Sequence, residues 1–401
     1  MSSLSWLDFS EADRQKALDV IDLFREKGTV EELGLGTVRD AIADLLFPGT
    51  STIMTRARYY LLIPWIYLRL EAKKTPSNQI GRAAHRDELA LIEALVNEGE
   101  RQGVIGIQAR SNLRRLPSTI YWSGLGRLGI RRYPGGIDGY HRSLDDFYKN
   151  GGNVLRGDDG NVVSGGSTRN WDRDLPVAPK QFLDGTSLRL EPLEAEYLRE
   201  RIIQSAPESV FAFLADRPNE TEDVVFPWEH PKLAKMTTKN RSELRHAGNF
   251  SLVMFGAALL YNLMLAERKK DRENIDKYAT QYRDWCDEMD ATSSELSTWS
   301  RQDFWALVAA TEARISSGTQ RFIDAWLDRA ILGNPRTLPK STDARDLITW
   351  RERTLKGPLA RLVDARALDR WGGASGGSRL DYRWRRPVRD ILRDLHEADQ
   401  E

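Results

Sequence analysis

At 401 residues, with 40% apolar and 29% charged side chains, the chain is long enough for two domains with separate cores and too apolar to be disordered. Lysine plus arginine equals aspartate plus glutamate at 59 each, which excludes a histone-like coat for nucleic acid and confines any anion site to a local patch. A single cysteine and five scattered histidines exclude an intramolecular disulfide and a zinc-binding spacing, and they fit a reducing cytoplasm.

The first residues lack a basic start followed by an apolar run, so no secretory signal is expected. Ser10 predicts a helix cap, with Ala17, Val20, Ile21 and Phe24 at helical spacing and a stop near Gly28. Thr37 opens a second predicted helix that ends at Pro48-Gly49, with Val38, Ile42, Leu45 and Leu46 on its inner face. Tyr59 to Leu68 is apolar but contains Pro64 and is flanked by Arg56, Arg58 and Arg69. At about half the length of a membrane span, it predicts a buried, proline-kinked helix.

A fourth helix is predicted from about Arg86 to Glu100, with Leu89, Ile92, Leu95 and Val96 as its stripe and Gly103 and Gly106 behind it. Residues 107–116 and 119–128 predict two short helices separated by Leu116-Pro117-Ser118, with Ser118 as a cap. This is the cadence of a helix-turn-helix.

From Lys149, glycines at 151, 152, 157, 160, 165 and 166 mark a boundary. Asn153-Val154-Leu155 and Asn161-Val162-Val163 around Asp159-Gly160 read as a loop, with a small hairpin as the alternative. Leu175 to Pro179 reads as extended. Beyond it the pattern is helical, centred on Phe250 to Ala266, which is apolar almost all round and falls short of a convincing membrane span.

The best functional clue is the stretch from Arg101 to Ile137, 37 residues with seven arginines and no acid. Arg110, Arg114, Arg115, Arg127, Arg131 and Arg132 could track a phosphate backbone, with Tyr121 among them as a flat ring for a base. Internal pairing, for instance with Asp145-Asp146 or Asp158-Asp159, is the alternative. A second basic cluster, Arg383, Arg385, Arg386 and Arg389, follows the glycine-rich run 372–377, which reads as a flexible linker because it lacks the lysine-hydroxyl order of a phosphate-binding loop.

Other constellations favour structural roles. His85-Arg86-Asp87 lacks the context of a kinase catalytic loop. Phe226 to Pro231 reads as a proline-stiffened corner holding His230, His246 as a surface or cap residue, and Cys286 as a half-buried thiol. Glu208 and the acids of residues 216–223 lie in helix and loop, a poor frame for a metal nuclease.

The opening Leu4-Ser5-Trp6-Leu7-Asp8-Phe9-Ser10, Arg56-Ala57-Arg58-Tyr59-Tyr60 continuing to Pro64-Trp65, Leu116 to Trp122 with Gly124-Leu125, and Asn249-Phe250-Ser251-Leu252 resemble, over the full length, the bacterial family catalogued as domain of unknown function 6361. The resemblance transfers no catalytic residue. It implies a setting among phage-defence genes for helicases, methyltransferases and nucleases, which tilts the basic stretch toward DNA.

The expectation is a mainly α, cytoplasmic protein. An N-terminal helical domain over 1–149 carries a helix-turn-helix-like segment at about 85–132, a connector covers 150–185, and a C-terminal helical domain covers 186–401. The expected work is that of a non-catalytic DNA-binding or adaptor subunit of an antiviral system. It contacts double-stranded DNA through phosphates, works beside a helicase or nuclease, and uses no metal, cofactor or membrane. A protein-binding scaffold and a metal-dependent nuclease are the alternatives.

Overall fold

The computed structural model describes residues 33–149, 169–216, 224–311, 313–376 and 378–398. The predicted helix at 11–28 and the 153–163 loop or hairpin lie outside them. Among the described residues the fold is mainly α, without a strand; one isolated antiparallel bridge joins Arg131 to Trp171.

In chain order the helices are α1 (Gly36–Leu46), α2 (Tyr59–Ala72), α3 (Ser77–Asn97), α4 (Pro117–Arg127), α5 (Ile137–Lys149), α6 (Pro192–Ser205), α7 (Val210–Ala215), α8 (Thr238–Lys269), α9 (Arg272–Ala291), α10 (Ser293–Ser297), α11 (Arg301–Ala309), α12 (Ser317–Leu327), α13 (Thr342–Lys356), α14 (Ala365–Asp369) and α15 (Arg389–Glu397). They divide into two compact units, neither contiguous in sequence. Among the described residues, one holds those up to Ala41 and those of His246–Leu380, the other those of Ile42–Arg245 and those after Leu380.

In the second unit, α2 is buried along nearly its whole length, Pro64 included, as its apolar run predicts. The helix α3 begins nine residues before the expected Arg86, because its start is satisfied from a distance: Asp145 on α5 accepts the Ser77 N–H (2.9 Å) and hydroxyl (2.6 Å). Of its expected stripe Ile92 and Leu95 are buried and Leu89 and Val96 half-buried. Ile80, Ala84, Asp87, Glu88 and Leu91 are buried as well, so the buried face passes through two acids that a hydropathy pattern assigns to the solvent face.

Glu88 explains its own burial. It accepts the Ser118 N–H (2.8 Å) and hydroxyl (2.7 Å), so the first turn of α4 is capped by a carboxylate from α3, and Ser118 is a donor where a cap was expected. The expected helix over 107–116 is reduced to a single 3₁₀ turn, Arg110–Asn112. Gly103 and Gly106 sit at positive φ (79° and 82°), which breaks helical continuity, and Arg110 itself is at 47°. The helix-turn-helix cadence is thus kept only at α3 and α4, with a loop in place of its middle helix.

In the first unit, the apolar part of α8 forms the centre, as expected. The indole N–H groups of Trp285 and Trp326 donate to the Leu252 and Val253 carbonyls (2.8 and 2.9 Å). Gly256 lies under Trp285, where a Cβ would come within 2.2 Å of the ring. Among the described residues α8 is the one helix long and apolar enough to cross a membrane, and 89% of that window is buried inside the protein. The glycine-rich run after Trp371 is not a flexible linker. The Asn262 side chain pairs with both the N–H and C=O of Ser375 (2.9 and 2.8 Å), and the Tyr278 hydroxyl donates to the Gly373 carbonyl (2.7 Å).

Candidate nucleic-acid interface

The arginines of the 101–137 stretch follow the turn-rich chain around α4. Arg101 donates to the carbonyls of Val96 and Glu100 (both 2.9 Å), and Arg110 pairs with Glu93 on α3 (2.9 Å). Arg114 is exposed and Arg115 half-buried; neither makes an ion pair or hydrogen bond among the described residues. On α4, burial of Ser118, Tyr121, Trp122, Gly124 and Leu125 leaves one exposed stripe, Thr119, Ser123 and Arg127.

Two expected contacts are structural instead. Tyr121 is fully buried; its hydroxyl accepts the Thr55 N–H and donates to the Arg56 carbonyl (both 2.9 Å), so no base can stack on it. Arg131 lies over the Trp122 ring (4.8 Å to its centre) and donates to the carbonyls of Trp122 (3.2 Å), Gly135 (2.9 Å) and Tyr133. The reason is the tight return of the chain after Gly129 (φ 69°), where the Ile130 and Arg131 N–H groups both bond to the Leu125 carbonyl; the guanidinium clamps that return.

Arg132 is 41% exposed and is held by Asp172 (2.7 Å), a buried carboxylate that also binds Arg201 of α6 (3.2 Å) and the Tyr197 hydroxyl (3.1 Å). This cluster opens into a cleft of about 780 Å³ lined by Arg127, Arg132, Arg169, Arg173 and Arg201, with Asp172, Asp174, Gln204 and Ser205. Five arginines face two aspartates there. Arg127 has no ion pair or hydrogen bond among the described residues. Arg173 meets only Asp174 (3.3 Å), in a pair 78% and 67% exposed that water screens to little effect. Sequence reasoning finds Arg127 and Arg132 but misses Arg169, Arg173 and Arg201. The last sits on a helix with no basic run, and only the fold joins it to Asp172.

Arg114 and Arg115 precede α4 and Arg127 ends it, so they are separated by an 11-residue helix, about 16 Å. These arginines therefore form two groups, one at each end of α4.

In the C-terminal cluster Arg383 is buried and paired, whereas Arg385, Arg386 and Arg393 make exposed ion pairs with acids three or four residues away. Arg383 is 8% exposed and donates to Asp44 (2.6 Å) and the Thr50 carbonyl (2.7 Å). Arg385 pairs with Asp381 (3.0 Å), Arg386 and Arg393 share Asp390 (3.6 and 3.4 Å), and Arg389 reaches the Val224 carbonyl (3.4 Å). The aromatic members are core: Tyr382 and Trp384 are buried, the latter stacked on Phe47. Arg383 and the two aromatics tie the chain end to the rest of the unit.

The remaining candidates have structural partners. His230 is buried in its proline-rich corner, with Nδ1 accepting the Lys232 N–H (3.2 Å). His246 is no surface residue; it is 4% exposed and accepts the Trp299 indole N–H (2.8 Å). Cys286 is buried, and burial pushes its thiol up to about 11, away from reactivity at neutral pH. Among the described residues no group of three or more histidine, cysteine, aspartate or glutamate side chains converges as a metal site.

Compared with known proteins, residues 1–398 match the model of a family of unknown function, DUF6361. No curated protein and no solved structure matches the chain.

Proposed function

The chain belongs to DUF6361, a family of unknown function, and on that premise we propose that it is a non-catalytic DNA-binding subunit that holds the phosphate backbone in the arginine-lined cleft beside α4. The observation that carries this reading is the excess of arginine over aspartate in the cleft lining, with Arg127 making no ion pair or hydrogen bond among the described residues and Arg132 and Arg201 pre-oriented on buried Asp172. A guanidinium held in place loses little freedom on meeting a phosphate, and its two parallel N–H groups match two phosphate oxygens. Arg114 and Arg115, at the other end of α4, add a second pair of contacts about one helix length away. The phage-defence setting implied by the resemblance supports DNA as the polyanion and a helicase or nuclease as the partner that performs chemistry.

A salt titration of binding to a fluorescent duplex tests this. Affinity should fall steeply between ~50 and ~200 mM salt, and each of Arg127→Ala and Arg114→Ala should flatten the log-log slope by about 1. Binding absent at low salt, or insensitive to salt, contradicts the reading.

One observation favours a protein-binding scaffold as the second reading. Trp350 and Leu355 of α13, with Leu359 and Val363 after it, are 40–60% exposed apolar side chains in one stretch of chain. A scaffold would retain a protein partner at high salt and show no duplex binding.

A further inference from the structure

The arginine-lined cleft is a recess, whereas the phosphates inside a duplex lie on a convex surface with strand on both sides of each. At about 780 Å³ the cleft has the size that encloses a small group, and it is bounded by the end of α4, the chain at 169–174 and the last turn of α6. Its charge points the same way. Five arginines against two aspartates leave three positive charges in the lining, more than the single charge of an internal diester answers. A phosphate monoester carries about −1.5 to −2 at pH 7 on three acceptor oxygens.

The donors are held ready for such a group. Arg132 meets Asp172 Oδ1 through one nitrogen, Nη2 (2.7 Å), and its Nε and Nη1 groups have no partner among the described residues. Arg201 takes the other carboxylate oxygen (3.2 Å), so the buried acid is occupied by its two arginines and aims them without facing the ligand. Arg127 and Arg173 stand exposed at the rim.

We infer that the cleft seats the terminal phosphate of a nucleic-acid strand, an inference that rests on the DNA-binding reading and names the part of the polyanion the cleft takes. A terminal phosphate projects beyond the last sugar and enters a recess that an internal diester meets only at the rim. From there the strand runs along α4 over Thr119 and Ser123, whose short exposed side chains let it lie close. Arg114 and Arg115, about 16 Å away, then meet phosphates about five nucleotides in, at ~3.4 Å of rise each.

Fluorescence anisotropy of the full chain with one duplex sequence in four forms tests this: 5′-phosphorylated, 3′-phosphorylated, hydroxyl-ended, and a dumbbell closed by loops so that it has no terminus. At least one phosphorylated form should bind about tenfold more tightly than the hydroxyl-ended duplex, which identifies the terminus, and the dumbbell should bind no more tightly than the hydroxyl-ended form. Arg127→Ala and Arg173→Ala, at exposed positions, should each shrink that ratio, whereas Arg114→Ala should weaken all four forms alike. Equal affinity for phosphorylated and hydroxyl ends overturns the inference, as does a dumbbell that binds as tightly as the phosphorylated duplex, or a ratio unaltered in both cleft variants. Salt-dependent binding of the hydroxyl-ended duplex alongside any of these leaves the backbone reading standing and removes only the terminus; no binding of any form at low salt removes both.

Discussion

Tyr121 and Arg131 show how residue types common at nucleic-acid surfaces serve the fold instead. In the sequence both stand in an acid-free, arginine-rich stretch and read as parts of a nucleic-acid surface; in the fold the tyrosine hydroxyl ties the 55–56 turn to α4 and the guanidinium closes the turn after it. Tyr121→Phe should cost about 1–3 kcal/mol of stability, because a buried N–H and a buried carbonyl both lose their partner, and should leave duplex affinity unchanged. Chemical denaturation and the binding assay on the same sample measure both. Asp172→Asn behaves in the opposite way. It keeps the shape of the carboxylate but removes the charge that neutralises Arg132 and Arg201, so duplex binding should tighten and its salt slope steepen, at some loss of stability. Unchanged binding in that variant would mean that the cleft does not meet the polyanion. What the sequence cannot show at this scale is which arginines already have a carboxylate, since Arg132 and Asp172 are 40 residues apart and Arg56 and Asp394 are 338 apart.

The helices are largely legible from spacing and composition, whereas their starts are not. The apolar run of α2 and the all-round apolar middle of α8 identify themselves, since burial on every side leaves no polar stripe. The start of α3 is set by Asp145 and that of α4 by Glu88, side chains from other helices, so no local capping rule finds them. The two caps should respond to pH with opposite sign. Ser77 holds the Asp145 carboxyl below its usual 3.8, so its contribution is present above that range and is lost as pH falls through it. Burial pushes Glu88 from 4.5 up to about 7, against the opposing effect of its Ser118 bonds. The folded state keeps a proton that the unfolded chain releases, so stability falls as pH rises from about 4.5 to 7, by at most about 1.4 kcal/mol per pH unit from this group. Asp394, raised by burial to about 6, adds to the same decline. Thermal melts at pH 5 and pH 8 should therefore differ less for Glu88→Gln than for the parent; an equal difference would remove Glu88 from the explanation.

For the whole molecule, the mainly α class follows from the run of amphipathic segments, and the absence of strands among the described residues agrees with it. The division into units follows from contacts distant in sequence, such as Arg351 donating to the Leu33 carbonyl (2.8 Å) in one unit and Arg56 to Asp394 (2.8 Å) in the other, and composition carries no trace of these. Charge balance over the full chain likewise conceals what matters for binding, which is where unpaired cations gather. The most direct measurement is duplex affinity as a function of salt for the parent chain and for Arg127→Ala combined with Arg114→Ala. Phosphate binding at both ends of α4 requires a steep salt dependence in the parent and a slope lower by about 2 in the double variant, with the fold unchanged. An identical slope in the two proteins, or no duplex binding by the parent at low salt, would contradict it.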